Sequence, residues 1–499
     1  MPDQFLHGIE IVEIDDGVRP ISTVRSSIIG LIGTAPNSAP AATAKLTTGT
    51  AAGNNGITWT AVTPGLAGNA ITVHLKDPKA NSQALNVTVS GSAITVSLAT
   101  SIAGAVTSTA TQVIAAITTN ALASLLLTAA ATGSSTGATV VGASVKAQTL
   151  SGGADAAFPL NTPVLVTGNR TQANGLDTVG TKEGTLPDAI DAIFDQAGAM
   201  VVVIRVTEGV DFAATKSNII GGAGTGVQQF LGTESVVHAK PRILIAPGFS
   251  HDQAVVSELI GIAERLKAII IADGPNSSDA AAISYRQNFG SRRVYIVDPQ
   301  VKVFDTVSNS EINQPVSARV AGVIAKSDNE RGFWWSPSNR EIFGITGASR
   351  AIDFSLDDVN SVANYLNENE VATIIQKDGY RLWGNRTCSS DQKWAFLSVV
   401  RIADIIHESL LANHLWAVDR NITKTYLDDV TEGVNNYLRY LVSVGAILGG
   451  MCYADPELNT PDQIAQGKVY FDFDFTPVYP AEHITFRSHL VNDYIEELF

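Results

Sequence analysis

Runs of β-branched and aliphatic residues, spaced through residues 158–326 and separated by helical patterns, leave few folds open to this chain. They are Pro-Val-Leu-Val-Thr (163–167), Met-Val-Val-Val-Ile-Arg (200–205), Arg-Ile-Leu-Ile-Ala (242–246), Ala-Ile-Ile-Ile-Ala (268–272) and Arg-Val-Tyr-Ile-Val (293–297). Each is a near-continuous β-branched and aliphatic run rather than an alternating one, the pattern of strands buried on both faces. Between them, Thr185 precedes a helical run over 186–194, and Ser250 with Gln253 has capping-box spacing ahead of Val256, Leu259, Ala263 and Leu266. The alternation predicts a mainly parallel sheet with right-handed crossovers. Residues 26–33 (Ser-Ser-Ile-Ile-Gly-Leu-Ile-Gly) read as one more buried strand entering the same body. Alone, this part reads as an α/β enzyme domain.

The whole chain is 499 residues, too long for one ordinary core. Hydrophobic residues make up 45% and charged ones 16%, a balance that suits a protein hiding much of its surface in an assembly. The formal net charge of −15 argues against a phosphate-backbone binder, so nucleic acid is not an expected partner. Cys388 and Cys452 lack metal-ligand spacing and fit synthesis in a reducing compartment. The N-terminus lacks a basic start followed by an apolar run, and no stretch approaches a membrane span.

Composition changes abruptly over residues 37–155. Between 41 and 154 the only charged residues are Lys45, Lys76, Asp77, Lys79 and Lys146, in a background of Ala, Thr, Ser, Gly and Asn. Proline- and glycine-bearing brackets at 36–40 and 151–155 mark an inserted module. Ala-Ile-Thr-Val at 70–73 and again at 93–96, with Val87 and Val89 between, predicts antiparallel strands. Val113, Ile117, Ala121 and Leu125 recur every four residues and predict one covering helix. The insert is thus a small β-rich α+β domain.

At the start of the chain, residues 8–14 (Gly-Ile-Glu-Ile-Val-Glu-Ile) alternate and are broken by Asp15, Asp16 and Gly17. Such a terminal strand either closes its own sheet or adds to a neighbour's edge. Further on, Ser355 with Asp358 has capping-box spacing before Val359, Val362, Ala363 and Leu366; residues 391–416 and 434–445 read as helices, and Thr460 caps a short helix ended by Gly467. Phe471, Phe473 and Phe475 then alternate with Asp472 and Asp474 in a strand. After turns at Pro477 and Pro480, Ile484 and Phe486 alternate with Thr485 and Arg487 in a second strand.

Two further stretches concentrate aromatics, arginines and glycines. Residues 331–347 read Arg-Gly-Phe-Trp-Trp-Ser-Pro-Ser-Asn-Arg-Glu-Ile-Phe-Gly-Ile-Thr-Gly, and residues 378–387 read Asp-Gly-Tyr-Arg-Leu-Trp-Gly-Asn-Arg-Thr, expected as a wedge-like loop. Together they resemble the tail sheath proteins of contractile phages, in which a Trp-x-Ser-Pro-Ser-Asn segment precedes a Leu-Trp-Gly-Asn-Arg-Thr segment. The residues carrying the likeness are Trp334, Trp335, Ser336, Pro337, Asn339, Leu382, Trp383, Gly384, Asn385, Arg386 and Thr387. Segments at 30–36, 417–421, 455–460 and 480–484 also resemble family landmarks, so the likeness covers roughly residues 1–36 and 160–499.

The resemblance implies a structural subunit that polymerises around an inner tail tube as stacked hexameric rings and contracts to drive the tube through the host envelope during genome delivery. It implies an N-terminal arm with the first strands of the body (1–36), the insert as an outward decoration (37–155), an α/β middle domain (156–330) and a conserved α+β C-terminal domain with its own arm (331–499). Ile9, Ile11, Val12, Ile14, Ile484 and Phe486 would be inter-subunit arm strands, with linkers at Asp15, Asp16, Gly17, Pro20, Pro477 and Pro480 absorbing the rearrangement. Implied partners are further copies in a helical sleeve, the tail tube protein, and baseplate and tail terminator proteins; the place is the virion, after synthesis and assembly in the host cytoplasm. The alternative within the same structural class is the sheath of a phage-derived bacteriocin or another contractile injection machine.

From a different class, the chain reads as a metal- or nucleotide-dependent α/β enzyme using Asp273 and Asp298, which follow strands where open sheets bind ligands. Both also precede strong turn formers, and turns are the preferred reading. Gly133-Ser-Ser-Thr-Gly137 matches a nucleophile elbow by letter only, without strand and helix around it. The glycines at 221–226 lack the Lys-Ser or Lys-Thr of a P-loop and read as a surface loop after a weak strand. His407 and His414 share a helix face but have no third ligand. No catalytic residue, cofactor or metal is therefore expected.

Overall fold

A computed structural model describes residues 20–491, which divide into two compact units. One comprises residues up to Thr34, Pro163–Ala173 and everything from Gly184; the other comprises Ala35–Thr162 and Asn174–Glu183. The expected arm residues Ile9, Ile11, Val12 and Ile14 and linker residues Asp15, Asp16 and Gly17 lie outside the described part.

The first unit is built on one nine-stranded sheet: β1 (Ile29–Thr34), β2 (Val164–Thr167), β3 (Met200–Val206), β4 (Ile243–Ile245), β5 (Ile269–Asp273), β6 (Val294–Val297), β7 (Arg340–Glu341), β8 (Val371–Gln376) and β9 (Tyr380–Trp383). The spatial order is β7-β9-β8-β6-β5-β4-β1-β3-β2. From β8 through β3 all neighbours are parallel. At the two ends, β2 and the β9–β7 pair run antiparallel to their neighbours. All six residues of β1 are buried between β4 and β3, as its aliphatic and glycine sequence demands. The run at 163–167 departs from expectation: β2 is an antiparallel edge with Val164 and Leu165 only half-buried, because an edge has a neighbour on one side alone.

Helix α1 (Gln253–Leu266) buries Val256, Leu259, Ala263 and Leu266 against the sheet. Its cap is Asp252, which accepts from Ala254 N, and not Ser250 as the spacing predicts; Ser250 is buried and bonded to Asp273. The segment before the glycine loop is a helix, Phe212–Ile220, and not a strand; Gly221 and Gly226 turn the chain after it at positive φ. Ser361, rather than Ser355, caps Val362–Glu368 by accepting from Asn364 N, which leaves Val359 exposed. Because β8 and β9 complete the sheet that β1–β6 begin, the expected boundary between residues 330 and 331 passes through one sheet.

Beyond the sheet come α2 (Ser317–Arg331), α3 (Leu397–Asn413), α4 (Lys424–Ser443) and a two-stranded ribbon of β10 (Ile447–Ala454) and β11 (Phe471–Pro477). Thr423 caps α4 through Tyr426 N, starting it ten residues before the expected 434, with Val434, Tyr437, Leu438 and Leu441 on its buried stripe. Among the described residues no helix is long and apolar enough to cross a membrane.

The second unit has its own core around Trp59, Ile94, Val96, Val113, Ile117 and Leu127. It holds a three-stranded sheet (Lys45–Thr48, Ile57–Ala61, Leu127–Ala131) and a four-stranded one (Asn86–Ser90, Ala93–Ser97, Thr72–Lys76, Gln148–Thr149). The two Ala-Ile-Thr-Val repeats pair parallel, not antiparallel, because Asn86–Ser90 forms the hairpin with the second repeat on its other side. The expected single helix stops at Thr119. The Asn120 side chain accepts from Leu122 N and Ala123 N, turning the chain so that Leu125 is exposed.

Ala42 and Ala154 exchange backbone hydrogen bonds, as do Lys45 and Ser151, so the module closes at a neck of adjacent strands. Replacing residues 41–154 by a short linker is therefore expected to leave a soluble chain with one cooperative unfolding transition by circular dichroism. An insoluble product, with the full chain soluble, would show that the module is not independent.

Candidate functional site

The two aromatic stretches meet along one end of the nine-stranded sheet. Asn339 N donates to Leu382 O at 2.6 Å, Ser338 Oγ accepts from Gly384 N at 3.0 Å, and Arg381 Nη1 reaches Asn339 O at 3.2 Å. Residues 378–387 are thus a turn and a strand flanked by β8 and β7 rather than a wedge-like loop: Leu382 is fully buried and Trp383 stacks edge-on against Phe354. Gly384 sits at φ 131°, and a Cβ there would lie 2.8 Å from Ala372 Cα, so only glycine fits. Asn385 and Thr387 are buried, with Thr387 Oγ1 donating to Trp394 O. On the other stretch Trp334 packs edge-on against Phe333 and over Gly332, where a Cβ would meet its ring at 2.3 Å. Trp335 is half-exposed under the Arg331 guanidinium, and Ser336, next to Pro337, accepts from Ser338 N. These motif residues therefore build structure and leave one open groove.

Helices α3 and α4 present an apolar layer to the ribbon. In register, Cys452 faces Phe473 and Gly450 faces Phe475 on the inner side, while Met451–Asp474 and Tyr453–Asp472 face out. His407 lies edge-on to Phe473 and Phe475, and burial holds its pKa below the ordinary histidine value; His414 Nδ1 is bonded to Leu410 O. His407 thus packs against the layer, whereas His414 follows the last residue of α3 and stacks on Trp416. Each ribbon strand has one strand neighbour only among the described residues, and on β10 the Cys452 N and O are already bonded to the Asn435 side chain. An edge without a strand neighbour is a template for an added strand.

The buried face of α3 carries charge. Arg401 forks onto Asp328 of α2, Asp404 pairs with Arg293 ahead of β6, and Glu408 receives Lys240 at 2.7 Å and Arg242 at 2.8 Å ahead of β4. Burial opposes the Arg293 charge, yet Asp404 and Glu264 outweigh it and hold its pKa above the ordinary arginine value. Burial likewise opposes ionised Glu408, and the Lys240 and Arg242 hydrogen bonds overcome it, so its pKa falls. Nothing in the spacing of 242, 293, 401, 404 and 408 reveals these pairs.

Both arm roots are fastened to this layer. Ser22 exchanges hydrogen bonds with Asn413, and Val24 N donates to Ser409 Oγ at 3.1 Å, while Pro20 is exposed. At the other end the expected linker is not free: Pro477 is buried at the end of β11, Tyr479 packs edge-on against Phe396, and Arg386 grips Glu482 through Nε at 2.8 Å. The Glu482 hydrogen bonds, outweighing burial, raise the Arg386 pKa. Residues 483–491 form no strand; Ile484 is 66% and Phe486 92% exposed. Their alternation is a strand pattern without a partner strand among the described residues.

The acidic crevice is filled by its own protein. Asp273 accepts from Ser250 Oγ, Ser317 N and Ser317 Oγ at 2.7–2.8 Å, and Asp298 from Asn276 N and Arg350 Nη2 at 2.8 and 2.7 Å. Burial pushes the Asp273 pKa up, with the serine bonds pulling against it. The carboxylates thus tie neighbouring segments rather than cap their own turns. No group of three His, Cys, Asp or Glu among the described residues could hold a metal. Cys388 and Cys452 are free and buried, and burial pushes the Cys388 thiol up to about 12.

Residues 222–388 match the phage tail sheath protein central domain, 389–490 the phage tail sheath C-terminal domain, and 145–206 the tail sheath protein Gp18 domain III N-terminal region. The chain is similar to a prophage major tail sheath protein of Pseudomonas aeruginosa, 46% identical across 69% of this chain and 90% of that one. It is 35% identical to the tail sheath protein of Escherichia phage P2, over 68% of this chain and 88% of the other. The tail sheath protein of Burkholderia phage BcepMu aligns over 99% and 98% at 31% identity. In fold, the chain is similar to a chain of the anti-feeding prophage baseplate in its contracted state, with TM-score 0.54 at 20% identity, covering 66% of this chain and 89% of that one. The sheath complex of an extracellular contractile injection system gives TM-score 0.53 at 18% identity, over 68% and 89%.

Arg293→Met would leave Asp404 buried without its cation and is expected to cost about 3–5 kcal/mol in denaturant unfolding. Glu408 has a depressed folded pKa, so its contribution is complete above the unfolded glutamate value of about 4.3 and is lost as pH falls through the lower folded value. Urea unfolding should accordingly show Glu408→Gln less stable than the parent at pH 7, with the gap closing on acidification below that value. A gap independent of pH would count against the pairing.

Proposed function

The chain belongs to the phage tail sheath family, and on that premise we propose that it polymerises around an inner tail tube as stacked six-fold rings and contracts to drive the tube through a host envelope. The observation that carries the mechanism is the ribbon β10–β11, whose outer edges have no strand neighbour among the described residues. The alternating segments at 8–14 and 484–487 are strand sequences suited to such edges. Ile9, Ile11, Val12 and Ile14 from one neighbour, and Ile484 and Phe486 from another, would complete a four-stranded sheet across three subunits.

The work is then mechanical. Main-chain ladders hold the mesh while the bodies rotate, and the dihedral change falls in the segments before Ile21 and after Glu482, where the arm roots are fastened. Asp15, Asp16, Gly17 and Pro20 suit the first of these. No step requires a catalytic group, cofactor or metal. Partners would be further copies, the tube protein, and baseplate and terminator proteins; the site of action is the virion, after assembly in the host cytoplasm. The module of residues 37–155 would decorate the exterior. The fold similarity to contractile injection systems supports the same role in such a machine.

Deleting residues 1–16 is expected to leave a folded subunit that forms no sleeves, whereas the full chain, with purified tube protein if nucleation needs it, forms hollow sleeves or stacked rings. Negative-stain electron microscopy of both checks this, and normal sleeves from the shortened chain would sink the arm mechanism.

A further inference from the structure

The groove left open where the two aromatic stretches meet has a volume of about 620 Å³ and is walled by Arg331, Arg340, Arg381, Trp334, Trp335 and Tyr479, among others. In a chain with 48 acidic and 33 basic side chains, no acidic residue among the described ones lines it. Arg381 is fixed by carbonyls, with Nε on Lys377 O and Nη1 on Asn339 O. Arg331 lies over Trp335, and Arg340 Nη2 is buried without a hydrogen-bond partner. Burial, and then the neighbouring Arg331 guanidinium, press the Arg340 pKa below the ordinary arginine value, with Glu330 opposing and Arg381 adding to the effect. Glu330 and Glu341 line a separate smaller pocket with Lys326, which Arg340 and Arg381 also border, and Glu482 beyond Ala481 is taken by Arg386. A half-buried guanidinium whose buried Nη2 has no partner among the described residues, beside like charges, calls for a carboxylate supplied from outside.

The chain carries a segment of that chemistry. Residues 492–499 read Asn-Asp-Tyr-Ile-Glu-Glu-Leu-Phe, with acidic Asp493, Glu496 and Glu497, no Lys or Arg, and Tyr494 and Phe499 as aromatics. Carboxylates match the guanidinium forks, and aromatic rings match Trp334, Trp335 and Tyr479. The root of the chain's own tail already forms a groove wall at residues 478–481, and residues 483–491 beyond it are exposed. We propose that the arginine–tryptophan groove is the seat for residues 492–499 of a second copy. Each subunit then has a polar, charge-read contact in addition to strand pairing, and its readout does not depend on sleeve formation.

The test is fluorescence anisotropy with a labelled peptide of residues 488–499 and the full-length protein. Saturable binding is expected, weakened about tenfold or more by Arg340→Ala, by Asp493→Asn/Glu496→Gln/Glu497→Gln in the peptide, and by high salt. Trp335→Ala, a change at a half-exposed ring, is a second groove variant should Arg340→Ala not fold. No binding, or equal binding to parent and groove variants or by the neutralised peptide, overturns the proposal. So does binding confined to full-length protein with the same three acids neutralised, since the groove would then hold its own tail.

Discussion

Helix α3 places Arg401, Asp404 and Glu408 on its buried face, and each is closed by a charge from another element. A buried ion pair adds little net stability over a well-packed apolar contact, but breaking one by removing a partner is severe. Its effect is on register. Sliding or rotating α3 by a turn would part Asp404 from Arg293 and Glu408 from Arg242 together, leaving uncompensated charges beneath the helix. Because Arg242 and Arg293 stand directly before β4 and β6, the helix is indexed to the parallel sheet itself. The ribbon and both arm roots inherit their positions from that indexing.

Sheet edges are managed in opposite ways in this unit. The nine-stranded sheet ends in short antiparallel additions, β2 at one side and the β9–β7 pair at the other, which are poor templates for further growth. The ribbon instead keeps eight- and seven-residue edges with no strand neighbour among the described residues, on top of a packed helical layer. In the proposed assembly an added strand contributes main-chain hydrogen bonds worth on the order of 1 kcal/mol each, so affinity grows with ladder length. Side-chain alternation then sets the register of what is added.

Much of this was legible in the sequence, for identifiable reasons. Near-continuous aliphatic runs at 200–205, 242–246, 268–272 and 293–297 become central parallel strands because both of their faces are buried, with Arg242 and Arg293 standing just before their strands. The alternation of Phe471, Phe473 and Phe475 with aspartates gives β11 its inner and outer faces directly. Long-range polar partners were not legible. Ser250 has the spacing of a cap, yet its hydroxyl is claimed by Asp273, 23 residues away, and Asp252 takes over the cap. Likewise residues 378–387 have loop composition, but pairing with β8 on one side and with residues 340–341 on the other makes Tyr380–Trp383 a strand. The groove was invisible for the same reason: its arginines come from 331, 340 and 381, and only the fold gathers them. The 484–487 alternation names a strand without naming its partner, since no segment among the described residues pairs with it.

The two arm roots converge on one element. Ser22 and Val24 fasten the N-terminal root to Ser409 and Asn413, in the last turns of α3. The C-terminal root is held by Phe396, the residue that opens α3, and by Arg386 next to it in space. A helix of 17 residues spans about 25 Å, so the arms leave from opposite ends of a single stiff rod. In the proposed sleeve, tension between two neighbours would run along the axis of α3 and not across the nine-stranded sheet. The indexing pairs resist slip along that same axis, because each lies between a fixed strand start or α2 and a side chain partway down the rod. Buried charge that would be a doubtful choice for stability alone is well placed where the requirement is that a helix under axial load keep its register.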